Sequence, residues 1–206
     1  MTHPFQAFSP TTLADVLSRG QVMDIGIHAL WDAPRIAGPA FTVRCPPGDN
    51  LMLHAAIYRA PAGSVLVVES ADCDFAVAGG NVCAVAQRHG IVGLVVDGVI
   101  RDLGEVRQNR FPVYARGVSP VAGGKHHLTL LNHSIRCGGV AVSGGDIVVA
   151  DEEGIVVVPR ESMEATLQAA EVRAAQEANQ NLDAWEATHR AKIEEILRAR
   201  GFKSDV

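Results

Sequence analysis

Apolar positions along the chain switch repeatedly between a strand-like and a helix-like period. "TTLADVLSRG" places Leu13, Val16 and Leu17 at helical spacing after a Thr cap, with Gly20 as its stop. "AFTVRC" (40–45) reads as a strand, and "GDNLMLHAAIYRAP" as a helix with Asp49 as N-cap and Pro61 just beyond its end. "SVLVVES" (64–70) predicts the next strand, and "GNVCAVAQRHG" a helix closed by Gly90. "IVGLVV" (91–96) is a continuous, mostly β-branched run, the pattern of a strand covered on both faces. A short helical turn over 102–109 precedes the strand "FPVYARG". Strands alternating with short helices imply right-handed crossovers and a largely parallel sheet.

The character changes after Gly117. Residues 117–139 are rich in Gly, Ser and His, which predicts loop and short edge strands. "GGDIVVADEEGIVVVP" gives two valine-rich strands joined by the acidic turn Asp151-Glu152-Glu153-Gly154, a hairpin signal. From Arg160 the pattern turns Ala- and Glu-rich and amphipathic through two helices, the second ended by Gly201. The expectation is an α/β domain over 1–160 and a helical C-terminal arm over 161–206, packing on its own core or on a neighbouring subunit. No repeat and no low-complexity tract interrupts this order.

Composition narrows the partners. The 206 residues suffice for one domain with a sizeable core, and 48% hydrophobic with 20% charged residues is ordinary globular usage. A formal net charge of -5 argues against a nucleic-acid surface, which rests on clustered Lys and Arg. No run of eighteen apolar residues exists, and "MTHPFQAFSPTT" lacks the basic-then-apolar order of a signal peptide, so neither a membrane span nor export is expected. Cys45, Cys73, Cys83 and Cys137 have no zinc-type spacing and read as reduced thiols of a cytoplasmic protein. Lysine is scarce, only Lys125, Lys192 and Lys203, and none sits in an apolar strand.

Candidate chemistry concentrates where the strand after Gly90 runs into Arg101-Asp102-x-x-Glu105. Ligands in α/β sheets bind beyond the carboxyl ends of strands. Asp and Glu three apart at a helical start can face one side, and their oxygens suit magnesium or manganese. Arg101 offers a planar fork for a carboxylate or enolate oxygen. A competing structural reading makes Asp102 an N-cap and Glu105 its capping-box partner. Gly79-Gly80-Asn81-Val82 opens a helix, where exposed N–H groups and the dipole favour an anion; the alternative is a turn capped by Asn81. Lys125, His126, His127 and His133 fall in the loop-rich stretch and read as solvated. Asp151, Glu152 and Glu153 read as turn residues. Cys83 lies near a helix N-terminus, a place that can lower a thiol's pKa, but no base is set beside it.

The spacing Gly80, twenty residues, Arg101-Asp102, two residues, Glu105 resembles the pattern of the RraA-like family, which includes the class II 4-hydroxy-4-methyl-2-oxoglutarate / 4-carboxy-4-hydroxy-2-oxoadipate aldolases. "GPAFTV", "PAGSVLVVES", "GLVVDGVIRD", "FPVYARGVSP" and "GGDIVVADEEGIVVVP" look like family blocks, so the likeness extends over most of 11–160. Two departures stand out: Asn81 occupies a position often acidic in relatives, and the C-terminal helical tail differs.

The resemblance implies a swivelling β/β/α fold, trimers or paired trimers, and sites at subunit interfaces. It implies that Asp102 ligates a divalent cation (Mg2+ or Mn2+) and that Glu105 holds metal-bound water. Arg101 would contact the 2-oxo oxygen of a small 2-oxo acid, and the backbone of Gly79, Gly80, Asn81 and Val82 its carboxylate. The implied reaction is aldol cleavage of a 4-hydroxy-2-oxo diacid to pyruvate and a second 2-oxo acid, with oxaloacetate decarboxylation through the same enolate. A Schiff-base route would need a buried lysine of depressed pKa, and the sequence offers no obvious one. The alternative within the family is a non-catalytic regulator that binds a ribonuclease.

Overall fold

Three parallel crossovers organise the chain. The computed structural model describes residues 3–179 and 181–202; Lys203 lies outside them. Its strands are β1 (His28–Ala29), β2 (Ile36–Arg44), β3 (Val65–Asp72), β4 (Gly93–Ile100), β5 (Val113–Val118), β6 (Ile135–Cys137), β7 (Val140–Val142), β8 (Ile147–Asp151) and β9 (Gly154–Val158). Its α-helices are α1 (Pro10–Ala14), α2 (Leu51–Ala56), α3 (Gly80–Arg88), α4 (Leu103–Gln108), α5 (Met163–Ala178) and α6 (Leu182–Ala199). One seven-stranded sheet runs in the order β1-β5-β4-β3-β2-β8-β9, and β6 and β7 pair separately. Strands β2 to β5 are mutually parallel, while β1, β8 and β9 join antiparallel at the two sides.

The two faces of the sheet divide by strand alternation. Leu66 and Val68 of β3 and Leu94 and Val96 of β4 pack with Leu53, Ala86 and Val106 from α2, α3 and α4. Their neighbours Val65, Val67 and Val95 face the other way, onto Cys137, Val140 and Val142 of β6–β7 and Val148 and Val157 of β8–β9. The result is helices on one face and a second β layer on the other, the swivelling β/β/α arrangement. Val65 to Val68 are wholly buried, and each such side chain contributes up to about 1.5–3 kcal/mol.

Several elements differ in extent from the sequence expectation. Helix α1 starts one residue before the expected Thr cap, because Ser9 Oγ accepts from Thr12 N–H and Pro10 takes the first helical position. The N-cap position of α2 is Asn50, while Asp49 Oδ1 accepts from Leu51 N–H. Strand β4 runs four residues past the expected end at 96. Its Asp97 is neutralised in place: Oδ1 accepts from Arg116 Nε and Oδ2 from Gly138 N–H. Gly98 lets the backbone pass Asp72, since a Cβ there would lie 2.9 Å from Asp72 O.

Two units are distinguishable by contact density, Met1–Ala170 and Glu171–Val206. The first contains the sheet and the start of α5, whose Thr166 and Ala170 are buried. The second contains α6, which starts from Asn181, whose Oδ1 accepts from Asp183 and Ala184 N–H; Leu182, Trp185, Ile193 and Ile196 are exposed along it. Among the described residues no helix is long and apolar enough to cross a membrane, and all four cysteines are free.

Candidate functional site

The site assembles at the carboxyl edge of the parallel strands because two crossover helices begin there. After β3 the chain passes through a loop into α3, whose first residue is Gly80; after β4 it turns at once into α4. Arg101 N–H donates to Ala78 O over 2.9 Å, which ties the end of β4 to the start of α3. The first N–H groups of α3 have no carbonyl one turn earlier in the helix, so they are available to an anion or an acid.

Asp102 answers one of them. Its Oδ2 accepts from Gly80 N–H at 3.2 Å and lies 3.3 Å from Arg101 Nε. Both contacts fall on Oδ2; Oδ1 is the oxygen that would meet a cation. The backbone explains why this acid faces α3 rather than its own helix. Asp102 is in the left-handed region, φ 55° and ψ 39°, and makes no side-chain capping bond to α4. The capping-box reading is thereby corrected: Asp102 stands at the N-cap position of α4, but its carboxylate is turned onto Gly80. Left-handed backbone costs a non-glycine residue about 1 kcal/mol or more, least for Asp and Asn.

The two glycines make room for two carboxylates. A Cβ at Gly79 would run into Asp102 Oδ2 and lie 3.0 Å from Arg101 Cγ, and a Cβ at Gly80 would run into the Glu105 carboxylate. Gly79, not Asn81, is the N-cap residue of α3. So Asp102 and Glu105 both abut one side-chain-free backbone step. Among the described residues, no group of three or more His, Cys, Asp or Glu converges as a metal nest. Two oxygen donors with space for water suit a cation such as magnesium, which takes one or two carboxylates plus waters and substrate. They do not suit structural zinc, which needs four protein ligands. The residues present therefore fit the hard cation that the motif implies.

A cavity of about 100 Å³ opens beside this step, lined by Gly79, Asn81, Val82, Arg101 and Asp102. Gly80 and Glu105 flank it without lining it. Drug-sized sites run to about 300–1,000 Å³, so this one suits a molecule of a few carbons. Cys83, in the first turn of α3, is no nucleophile: burial, helped by the Asp102 charge, pushes its thiol up to about 12.

The remaining lining was not legible as site residues in the sequence. Asn50 and His54 come from α2, and Ala122 and Lys125 from the loop after β5. That loop is fastened to the start of α2. Gly124 N–H donates to Gly48 O, Asn50 N–H to Gly124 O, and Asn50 Nδ2 to Gly123 O. Asp49, 2% exposed, takes the N–H groups of His126 and His127 and the His127 ring. Burial pushes the Asp49 carboxyl up, but the hydrogen bonds from Leu51, His126 and His127 outweigh it and hold it down at about 2. The expectation of merely solvated residues over Lys125–His127 is thus corrected: the stretch is anchored, and Lys125 reaches the cavity. His54 has its pKa lowered by burial and then by the Lys125 charge. Asn50 is 4% exposed, and its Oδ1 has no hydrogen-bond partner. A buried acceptor left unpaired costs about 1–3 kcal/mol.

Relatives place this site in a lineage. A model of the RraA-like family (Aldolase/RraA) matches residues 10–157. A protein of Halalkalibacterium halodurans named "Putative 4-hydroxy-4-methyl-2-oxoglutarate aldolase" is 34% identical over 199 residues, 96% of this chain and 91% of that protein. The crystal structure of an uncharacterized protein from Pseudomonas syringae pv. tomato superposes with a TM-score of 0.77 at 26% identity, over 90% of this chain and 92% of the other. The RNA-processing inhibitor RraA of Thermus thermophilis superposes with a TM-score of 0.67 at 28% identity, over 72% and 91% of the two chains. With the sheet order, the glycine step and the Arg-Asp corner on one side and these matches on the other, the chain belongs to the RraA-like family.

Proposed function

We propose that this protein is a metal-dependent lyase that cleaves a 4-hydroxy-2-oxo diacid to pyruvate and a second 2-oxo acid, and that also decarboxylates oxaloacetate. The aldolase reading is supported by the name of the Halalkalibacterium relative. The observation that carries it is the convergence of Asp102, Arg101 and the Gly79–Gly80 step on one small cavity.

Asp102 would hold a magnesium or manganese ion directly and Glu105 would hold it through water. When bound, that cation supplies Lewis acidity at the substrate's 2-oxo oxygen. The chain's own groups do the rest. The free N–H groups at the start of α3, from Asn81 and Val82, receive the substrate carboxylate. Arg101 sets its guanidinium against the 2-oxo oxygen, where negative charge grows as the C3–C4 bond breaks. The bonding pair moves into the pyruvate enolate, the C4 hydroxyl loses its proton as C4 becomes a carbonyl, and C3 then takes a proton to give pyruvate. Oxaloacetate loses carbon dioxide to the same enolate. Lys125 lines the cavity from an exposed loop position, and a Schiff-base lysine needs burial to depress its pKa, so the imine route is not favoured.

Pyruvate release from 4-hydroxy-2-oxoglutarate, assayed with magnesium before and after chelation, tests the reading. Loss of turnover on chelation, regained with fresh metal, and a fall of about a hundredfold or more in Asp102→Ala are expected. Turnover that survives both would contradict it. The likeness to the RNA-processing inhibitor supports a second reading, a ribonuclease-binding regulator. Capture of an RNase E-type partner with no turnover of any 2-oxo acid would favour it.

The proposal includes a cytoplasmic homo-oligomer, a trimer or a dimer of trimers. The exposed Leu182, Trp185, Ile193 and Ile196 of α6 support a C-terminal arm that packs on a core.

A further inference from the structure

The cavity has a second set of lining residues that the acid pair does not explain: Asn50 and His54 from α2 and Lys125 from the anchored loop. We propose that these three select the distal half of the substrate, with Asn50 Oδ1 accepting from a C4 hydroxyl and Lys125 and His54 taking a second carboxylate. This inference rests on the lyase reading and deepens it by naming what distinguishes a hydroxylated diacid from a plain 2-oxo acid.

Three observations carry it. Asn50 spends its amide nitrogen on Gly123 O and leaves Oδ1 buried without a donor, although the residue is 96% enclosed on the 4% exposure it retains. A hydroxyl is the donor a small polar ligand brings, and it satisfies that acceptor. Lys125 is the one cation besides Arg101 that lines this cavity, so a ligand whose first carboxylate lies at α3 meets a separate positive charge. Its position is built: Gly123 and Gly124 are bonded to Ala76 O and Gly48 O, and Asp49 holds the two residues after Lys125. His54 faces the same space with its ring held neutral by burial and by Lys125, so it offers one donor and one acceptor at neutral pH.

Two substrates separate the parts: 4-hydroxy-2-oxoglutarate, with a second carboxylate, and 4-hydroxy-2-oxopentanoate, without one. Lys125→Met is expected to lower kcat/KM for the diacid about tenfold, mainly through KM, and to leave the monoacid within about twofold. Lys125→Arg should recover most of the loss. Equal losses on both substrates, or none on the diacid, would overturn the assignment. Asn50→Leu, nearly isosteric, should depress both hydroxylated substrates relative to oxaloacetate, which lacks the C4 hydroxyl; an unchanged ratio counts against Asn50. If the wild-type protein releases pyruvate from neither substrate, the lyase reading fails, and the selecting role is then read from thermal protection. Greater stabilisation by 2-oxoglutarate than by 2-oxopentanoate, lost in Lys125→Met, would sustain it, and equal stabilisation would refute it.

Discussion

Two strand ends in this molecule carry clustered acids, and they have opposite fates. In the β8–β9 turn, Asp151 Oδ1 accepts from Glu153 N–H at 3.0 Å, its Oδ2 from Arg35 Nε at 2.9 Å, and Glu153 bonds Thr11 Oγ1. Asp151 is 7% exposed, with both oxygens occupied by the fold itself. After β4, Asp102 has both described contacts on one oxygen and faces a cavity. The difference lies in topology. A two-strand turn brings an acid back onto its own backbone, whereas a crossover delivers it to the start of a neighbouring helix, where room and positive potential remain.

Breaking the comparison at its functional end should have the largest effect. Glycine at position 102 suits φ 55° better than aspartate does, so Asp102→Gly is expected to melt within about 1 kcal/mol of wild type while pyruvate release falls about a hundredfold or more. Thermal melts and turnover on one preparation check this; a protein that loses both together would mean that Asp102 holds the fold rather than the chemistry. At the structural end, Asp151→Asn keeps the acceptor for Glu153 N–H but loses the charge facing Arg35. Stability should drop by about 1 kcal/mol, a shift of about 2–4 °C in Tm, with kcat unchanged. A kcat defect there would erase the contrast drawn between the two turns.

The smallest effect concerns the acid that belongs to neither turn. Asp49 has a folded pKa of about 2 against an ordinary 3.8. A depressed carboxyl contributes stability that is fully present above about pH 4 and is lost as pH falls toward 2. Wild type should therefore lose more stability than Asp49→Asn over that window, measured by urea unfolding at successive pH values. Parallel curves for the two proteins would show that the loop anchor is not this carboxylate.

Much of this was readable from residue order, and the exceptions share a cause. The valine runs of β3, β4, β8 and β9 carry strong local signals, and the Gly80 to Glu105 spacing marks a helix start and a strand end that a parallel crossover must bring to one edge. Strand β4 outran its expectation because Asp97 and Gly98 look like a turn locally, and only Arg116 and Gly138, from distant segments, neutralise that aspartate. Nothing in "DLGE" announces a left-handed Asp102, since the same letters fit a capping box. Lys125 was unreadable for a third reason: its place depends on Asp49, more than seventy residues earlier in the chain.

That long-range tether sets an order of failure for the molecule. The backbone ties that carry Lys125 belong to an exposed stretch between β5 and β6, while β3 and β4 sit in the fully enclosed interior. Warmed or acidified, such a protein would lose its discrimination between ligands first and its sheet only later, so a preparation that still looks native by circular dichroism can already have become indiscriminate.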